Sequence, residues 1–413
     1  MPVDRLPLDA VALPTLRLPG SEAAGPLTPT GAARLALLVA SGRAASKAEL
    51  VTATGWPRST VAGHVEALLA AHVLDRAGTV ASPGRGRPAE RLTLHADAGV
   101  VAAVDVGTSR TRIALARLDQ RIVAMEEIRL DVARGPEAMI RRLRDVLRDI
   151  LRRGSRPAHL RGAVVGIPAR VDTTTGSAVR PTTLPGWDAY PLTAELTEHL
   201  GCPVVVENDV NLRALGESAA LPHDQLPLVA VKLAAGVGAG IVDATGRVFH
   251  GFDGGAGDIG HVPVRGADDV PCTCGRTSCL ESVASLPALV RQVGLAADAP
   301  ASWDPLFEEY FALLEAGDPT AIAVLGEAAD ALGEVLIGVC NLLNPRRIVL
   351  TGGLTEYSDE LLARVRGSVY RGARTLATRN LTIEHAVLRE RCGLAGGLVL
   401  GIEQALAHVI GRA

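Results

Sequence analysis

Two stretches of this chain repeat one pattern, and that repetition constrains the fold more than any other feature. Val100-Val-Ala-Ala-Val-Asp105-Val-Gly107-Thr-Ser-Arg-Thr-Arg-Ile-Ala-Leu-Ala is an apolar run, a Gly/Thr/Ser turn and a second apolar run, followed by Asp119-Gln-Arg. About 130 residues later, Leu228-Val-Ala-Val-Lys-Leu-Ala-Ala-Gly236-Val-Gly238-Ala-Gly240-Ile-Val follows the same plan and leads into Asp243-Ala-Thr-Gly-Arg. Each reads as a β-hairpin whose turn brings backbone N–H groups and hydroxyls near an anion. Neither turn is specific alone. Together they predict a duplicated α/β body of two lobes with a cleft between them, and 413 residues leave room for a further domain.

Bulk properties narrow what such a chain can bind. Lys and Arg total 42 against 45 Asp and Glu, a formal net charge of −3. That excludes a uniformly basic nucleic-acid coat and confines any DNA contact to a local patch. Only Lys47 and Lys232 among the cations are lysine, a bias that reads as codon composition rather than function. Six cysteines are too few for a disulfide scaffold, and three of them crowd together, which points to a reduced compartment and one metal cluster. The N-terminus, MPVDRLPLDA, leads into no apolar signal segment, and the most apolar stretches fall short of the roughly 18 residues that a membrane span needs. A cytoplasmic protein is expected.

Residues 1–27 carry five prolines and no helical period, so they read as a flexible or extended leader. From 28 to 97 the texture is that of a small domain. Ala32–Ala40 is a helix candidate. Ser46-Lys-Ala-Glu49 has the form of a capping box and opens a second helix, which Gly55-Trp-Pro stops. A third runs from Pro57 to about Ala71, with Val61, Val65, Leu68 and Leu69 on one face and Arg58, Ser59, Thr60 and His64 on the other. Two short strands follow, separated by Ser-Pro-Gly-Arg85-Gly-Arg87-Pro. This is the layout of a winged helix-turn-helix: Arg58, Ser59, Thr60 and His64 are candidates for the major groove, and Arg85 and Arg87 for the minor groove. Eight Lys and Arg against four Asp and Glu between 28 and 95 give this unit +4, so the remainder carries −7. Trihelical units also serve as protein–protein elements, and the basic wing is what favours DNA.

The strongest local signal is His261 followed by Cys272, Cys274 and Cys279. One imidazole and three thiolates make a tetrahedral set suited to zinc, with no position open for a catalytic water, so a structural Zn²⁺ is expected.

Several ordered motifs now acquire a common meaning. Asp105-Val-Gly-Thr-Ser, Gly186-Trp187, Glu207-Asn-Asp-Val-Asn211, Gly236-Val-Gly-Ala-Gly240, Gly254-Gly-Ala-Gly-Asp-Ile-Gly-His261, Cys272-x-Cys-Gly-x-x-x-Cys-Leu-Glu281 and Asn344-Pro-x-x-Ile-Val-Leu-x-Gly-Gly353 resemble the ROK family of bacterial repressors, open reading frames and sugar kinases, and its repressor branch in particular, from Thr28 onward. The resemblance implies an actin-like (ribonuclease H-like) sugar-kinase fold. Lobe 1 would span 98–225 and lobe 2 226–413, the latter holding the zinc and sending its C-terminal helix back to lobe 1. It also implies a homodimer or homotetramer. By the same resemblance Asp209 matches the kinases' general base, and Asn208, Asp258, His261 and Glu281 match sugar contacts, with His261 using one ring nitrogen for zinc and the other for the ligand.

Departures from the family pattern separate regulator from kinase. The kinase hairpin D-x-G-G-T-K is here Asp105-Val-Gly107-Thr108-Ser109-Arg110, and G-T-G is Ala234-Ala235-Gly236, with Gly238 following. The lost hydroxyl and glycine approach degrade the positioning on which phosphoryl transfer depends, so no kinase activity is expected. Asp258 stands for the family's Glu, and Thr183 for an Asn before Leu-Pro-Gly-Trp, which leaves room for a different sugar. The expected function is a repressor whose head leaves a double-stranded DNA operator when a sugar or sugar derivative fills the body. Its rivals are an active sugar kinase with a DNA-binding head and an effector-independent regulator whose body only dimerises.

Overall fold

The computed structural model describes residues 5–6, 13–18, 31–80, 89–108, 110–153, 159–181, 184–265, 267, 269–297, 300, 302–357 and 359–411. At the N-terminal end three helices, Gly31–Ala40, Lys47–Thr54 and Arg58–Ala70, are followed by an antiparallel pair of strands, Leu74–Val80 and Ala89–Leu94. The expected cap forms: the Ser46 hydroxyl accepts from the Glu49 N–H at 3.3 Å, and the Glu49 carboxylate accepts from the Ala45 N–H. Gly55 closes the second helix in the left-handed conformation, φ +70°, a turn that disfavours any side chain. Val61, Val65 and Leu68 are buried, as their spacing requires. The segment between the two strands, with Arg85 and Arg87, lies outside the described residues.

The body has two sheets. The first runs in the order Arg5–Leu6, Ile122–Arg129, Arg110–Arg117, Val100–Val106, Leu160–Ile167, Val204–Asn208. Its antiparallel hairpin is extended by parallel pairing of Val100–Val106 with Leu160–Ile167. Val100–Val106 is buried along its whole length, because it is covered on both faces, as expected of a parallel central strand. Val100, Ala102 and Val104 pack toward helices Pro136–Arg153 and Leu192–Leu200, and Val101 and Ala103 toward the C-terminal helix Cys392–Gly411. The second sheet, Val237–Val242, Leu228–Leu233, Arg347–Thr351, Thr382–His385, repeats the hairpin-plus-parallel plan and packs on the 25-residue helix Pro319–Leu343. Among the described residues no helix is long and apolar enough to cross a membrane.

Two helices occupy the middle. Asp209–Ala220 begins at the last residue of a first-sheet strand and packs on both strands of the second hairpin, and Cys392–Gly411 lies against it. They meet backbone to backbone: a Cβ on Gly216 would collide with the Cys392 carbonyl, and one on Gly396 with the Leu212 carbonyl.

The head does not hang from the body. Leu35, Leu37 and Leu38 of its first helix share one apolar core with Leu398, Val399, Ile402 and Leu406 of the C-terminal helix. The leader is also less free than its prolines suggest. Residues 13–18 form neither helix nor strand, yet Leu16 and Leu18 are buried in that same core, and the Arg17 guanidinium donates to the Ser218 and Leu221 carbonyls at 2.6 and 2.7 Å. The Gln120 side chain accepts from the Leu16 N–H and donates to the Leu16 and Ala40 carbonyls, tying leader, body and head at one point. Two leucines between Pro14 and Pro19 supply burial that proline content does not reveal. Leu18→Ala is expected to lower stability by about 2–4 kcal/mol in urea unfolding, the cost of emptying a packed leucine site; an unchanged midpoint would mean that the leader is detached.

Candidate ligand cleft and metal centre

His261 ends a short turn, Ile259–His261, and the three cysteines lie on the following loop, held by bridges Pro263–Cys279 and Pro271–Thr277. Gly275 at φ +85° lets the chain turn between Cys274 and Cys279. All four donor atoms lie within 4.8 Å of one another. The Cys272 Sγ to His261 Nδ1 distance is 3.6 Å and the Cys274 Sγ to Cys279 Sγ distance 3.7 Å. A tetrahedron with metal–sulfur bonds of about 2.3 Å has edges of about 3.8 Å, so the donor set fits a metal ion. His261 presents Nδ1 to the thiols and Nε2 toward Asp258, 4.0 Å from its carboxylate.

A cleft of about 780 Å³ lies between the two sheets. It collects Asp105 and Gly107 from the first hairpin, Gly236 and Gly238 from the second, and Asn208, Asp209, Asp258, His261 and Glu281 between them. Ser109 and Thr183 lie outside the described residues. Asn208 caps its helix, accepting from the Val210 and Asn211 N–H groups, and donates to the Ala169 carbonyl at 2.9 Å. One amide hydrogen is left for a ligand. Glu281 accepts from the Val237 N–H at 3.0 Å, fixing the second glycine turn to the cysteine loop. Asp258 pairs with Arg170 of the first lobe at 3.2 Å. The space that a shorter acid would leave for a larger sugar therefore carries a guanidinium.

Asp209 is buried at the first turn of its helix and is paired with the Lys232 ammonium. Behind it lies a network that motif reading missed. Arg213, buried, reaches Asp105 at 3.2 Å and Glu390 at 3.7 Å; Arg112 reaches Glu127 at 2.8 Å and Glu390 at 2.7 Å; and Arg110 spans to Glu308 of the other lobe at 3.4 Å. Burial pushes the Asp105 carboxyl up against the pull of Arg213. Burial would raise Glu390 as well, but Arg213 and Arg112 outweigh it and hold that carboxyl low. Only Lys232 carried a warning in the sequence: a lysine in an apolar strand of a chain with two lysines.

In the head, Arg58, Ser59 and Thr60 are exposed at the N-terminus of the third helix. The half-buried His64 ring packs against Trp56, centroids 5.9 Å apart, on the side of the first helix.

Two α/β lobes around a cleft, with an aspartate at a helix N-terminus on its floor, define a protein of the actin-like sugar-kinase fold. The chain belongs to the ROK family, whose model matches residues 101–404. It is 30% identical over 306 residues to a glucokinase of Halalkalibacterium halodurans, covering 71% of this chain and 92% of that one. It is 24% identical over 361 residues to a xylose repressor of Caldicellulosiruptor bescii, covering 85% and 90%. Among solved structures, a ROK family transcriptional regulator described as a homologue of Escherichia coli MLC superposes with a TM-score of 0.75 over 92% of this chain and 96% of its own, at 23% identity. A Streptomyces griseus ROK glucokinase with glucose and AMPPNP gives 0.60 over 73% and 99%, at 24% identity.

One ion pair behind the cleft holds a histidine against a carboxylate. Glu207, at the end of the strand that leads into Asn208 and Asp209, accepts from the Asn211 amide at 2.9 Å and lies 2.7 Å from His250 Nε2. That hydrogen bond to Glu207 raises the His250 pKa above its usual 6.5. A raised folded-state value stabilises the fold fully below the unfolded value and loses that stability as pH rises through the folded one. His250→Ala is therefore expected to cost on the order of 1 kcal/mol at pH 6 and progressively less as pH rises through the raised folded-state value of His250, read from thermal melts across pH; a pH-independent loss would contradict the pairing.

Proposed function

We propose that this protein is a DNA-binding transcriptional regulator, a repressor, whose operator affinity falls when a sugar occupies the cleft. The reading rests chiefly on one observation: the N-terminal three-helix unit and its hairpin share an apolar core with the C-terminal helix, which lies against the helix that begins at Asp209. A sugar that changes the spacing of the lobes also loads the contacts on which the head is seated. For this to act as a switch, the sugar must bind the DNA-incompetent arrangement more tightly than the competent one.

The head is read as a winged helix-turn-helix. Arg58, Ser59 and Thr60 stand at the N-terminus of the recognition helix, where phosphates and base edges are reached. Arg85 and Arg87 are assigned to the wing. His64, turned toward Trp56, supports the helix from behind. Two heads in a homodimer would read an inverted repeat.

In the cleft, Asn208, Asp209, Asp258 and Glu281 are assigned to sugar hydroxyls, each of which needs a partner when buried; Thr183 is assigned to the same ligand from its position before Leu-Pro-Gly-Trp alone. A metal at His261, Cys272, Cys274 and Cys279 would be zinc. Held by four protein ligands, it would fix the His261 ring and through it the edge of the sugar site, without entering any reaction. Kinase activity is the second reading, favoured by the similarity to glucokinases. Against it stand Thr108, Ser109, Ala234 and Ala235 in place of the kinase residues, and the ammonium on one oxygen of Asp209, which lowers the basicity of that carboxylate.

Thermal shift against a sugar panel, with and without Mg-ATP and followed by an ADP-release assay on each hit, tests the function. Stabilisation by sugar without turnover is expected; steady ADP release would establish the kinase. For the metal, the purified protein is expected to hold about one zinc per chain, and replacing Cys272 and Cys274 by Ser to remove it and lower the melting temperature. Full stability of a metal-free wild type would contradict the assignment.

A further inference from the structure

Arg17 of the leader closes the helix that starts in the cleft. Its own N–H donates to the Ala219 carbonyl at 2.9 Å, and its guanidinium donates to the Leu221 and Ser218 carbonyls at 2.7 and 2.6 Å. Three acceptors at the end of helix Asp209–Ala220 are thus met by a single residue 204 positions before Leu221. The last carbonyls of a helix have no partner inside it and concentrate negative partial charge, so a guanidinium suits them.

The residues on either side of Arg17 fasten the head. Leu16 and Leu18 lie in the apolar core that Leu35, Leu37 and Leu38 of the head share with the C-terminal helix. Leu16 is also held by both of its backbone groups. Gln120 Oε1 accepts from its N–H at 2.7 Å, while Gln120 Nε2 donates to its carbonyl at 3.0 Å and to that of Ala40, the last residue of the head's first helix, at 3.2 Å. A continuous path of polar contacts therefore runs from the end of the cleft helix through Arg17, Leu16 and Gln120 to the head. Apolar burial is non-directional, whereas hydrogen bonds fix position, so these contacts set where the leader grips the head.

Resting on the reading of the head as a DNA-binding unit, we propose that Arg17 is a positioning residue for DNA binding. It fixes the leader between the helix that begins at Asp209 and the head, and so fixes the orientation in which the head meets the duplex, without touching DNA itself. A loosened head must be ordered as it binds, which lowers affinity, and paired half-sites demand a set spacing between two heads.

The test uses the full-length protein, a labelled duplex enriched from random-sequence DNA by the wild type, and hydrogen exchange in helix Gly31–Ala40 followed by mass spectrometry. Arg17→Met keeps the aliphatic stem and removes the guanidinium. It is expected to weaken DNA binding by about tenfold, to leave the salt dependence of binding unchanged, and to speed exchange in Gly31–Ala40. Arg17→Lys, which keeps a cation at the helix end, is expected to retain most of the affinity. Gln120→Asn cuts the path at a second point: asparagine suits the left-handed backbone there, φ +68°, but is one methylene shorter, and the same loosening is expected. Wild-type affinity in both Arg17→Met and Gln120→Asn, faster exchange confined to the leader, or a salt slope shallower by about one, the mark of a lost phosphate contact, would each overturn the inference and leave the regulator reading standing. Failure of the wild type to enrich any duplex would overturn both.

Discussion

The close contact between helices Asp209–Ala220 and Cys392–Gly411 is the constraint on which the rest of the molecule depends. Gly216 and Gly396 bring the two backbones together where no Cβ fits, and the pair then fills the space between the sheets. The first helix begins in the cleft, at Asp209, and its last turn meets the leader, where Arg17 binds the Ser218 and Leu221 carbonyls. The second begins beside Glu390, which pairs with Arg112 and Arg213, and carries the apolar surface on which the head is seated. Packed interiors transmit displacement rather than absorb it, which is the route the proposed switch requires between the cleft ends of these helices and the head.

Charge in the cleft complements this framework. The carboxylates Asp105, Asp209, Glu127 and Glu390 face Arg112, Arg213 and Lys232 across a partly dry interior. Losing one member of such a network leaves an unpaired buried charge and costs more than the pair itself contributes. Arg170–Asp258 and Arg110–Glu308 span the lobes at the edges of the cleft.

Most of the scaffold was legible in the sequence because it rests on local rules. The two glycine hairpins, the Ser46–Glu49 cap, the Gly55 stop and the His-Cys₃ spacing each specify geometry within a few residues. The site was legible only where side chains converge through such motifs, as at Asn208, Asp209, His261 and Glu281. The partners of those residues were not. Arg213, Glu390 and Arg170 come from distant parts of the chain, and only the packed fold brings them to Asp105, Arg112 and Asp258. The scarcity of lysine reflects composition and gives no hint that the Lys232 ammonium sits on the central aspartate. The seat of the leader is equally unmarked, since prolines describe backbone freedom and say nothing of the apolar surface awaiting Leu16 and Leu18.

The claim that joins both halves is that cleft occupancy controls the head. Fluorescence anisotropy of a labelled duplex, enriched from random-sequence DNA by the full-length protein, measures this directly when a sugar or sugar derivative found to bind the cleft is titrated into the complex. Saturating ligand is expected to weaken DNA binding by about tenfold or more, a coupling of roughly 1–3 kcal/mol. DNA affinity that stays constant while the cleft fills would contradict it.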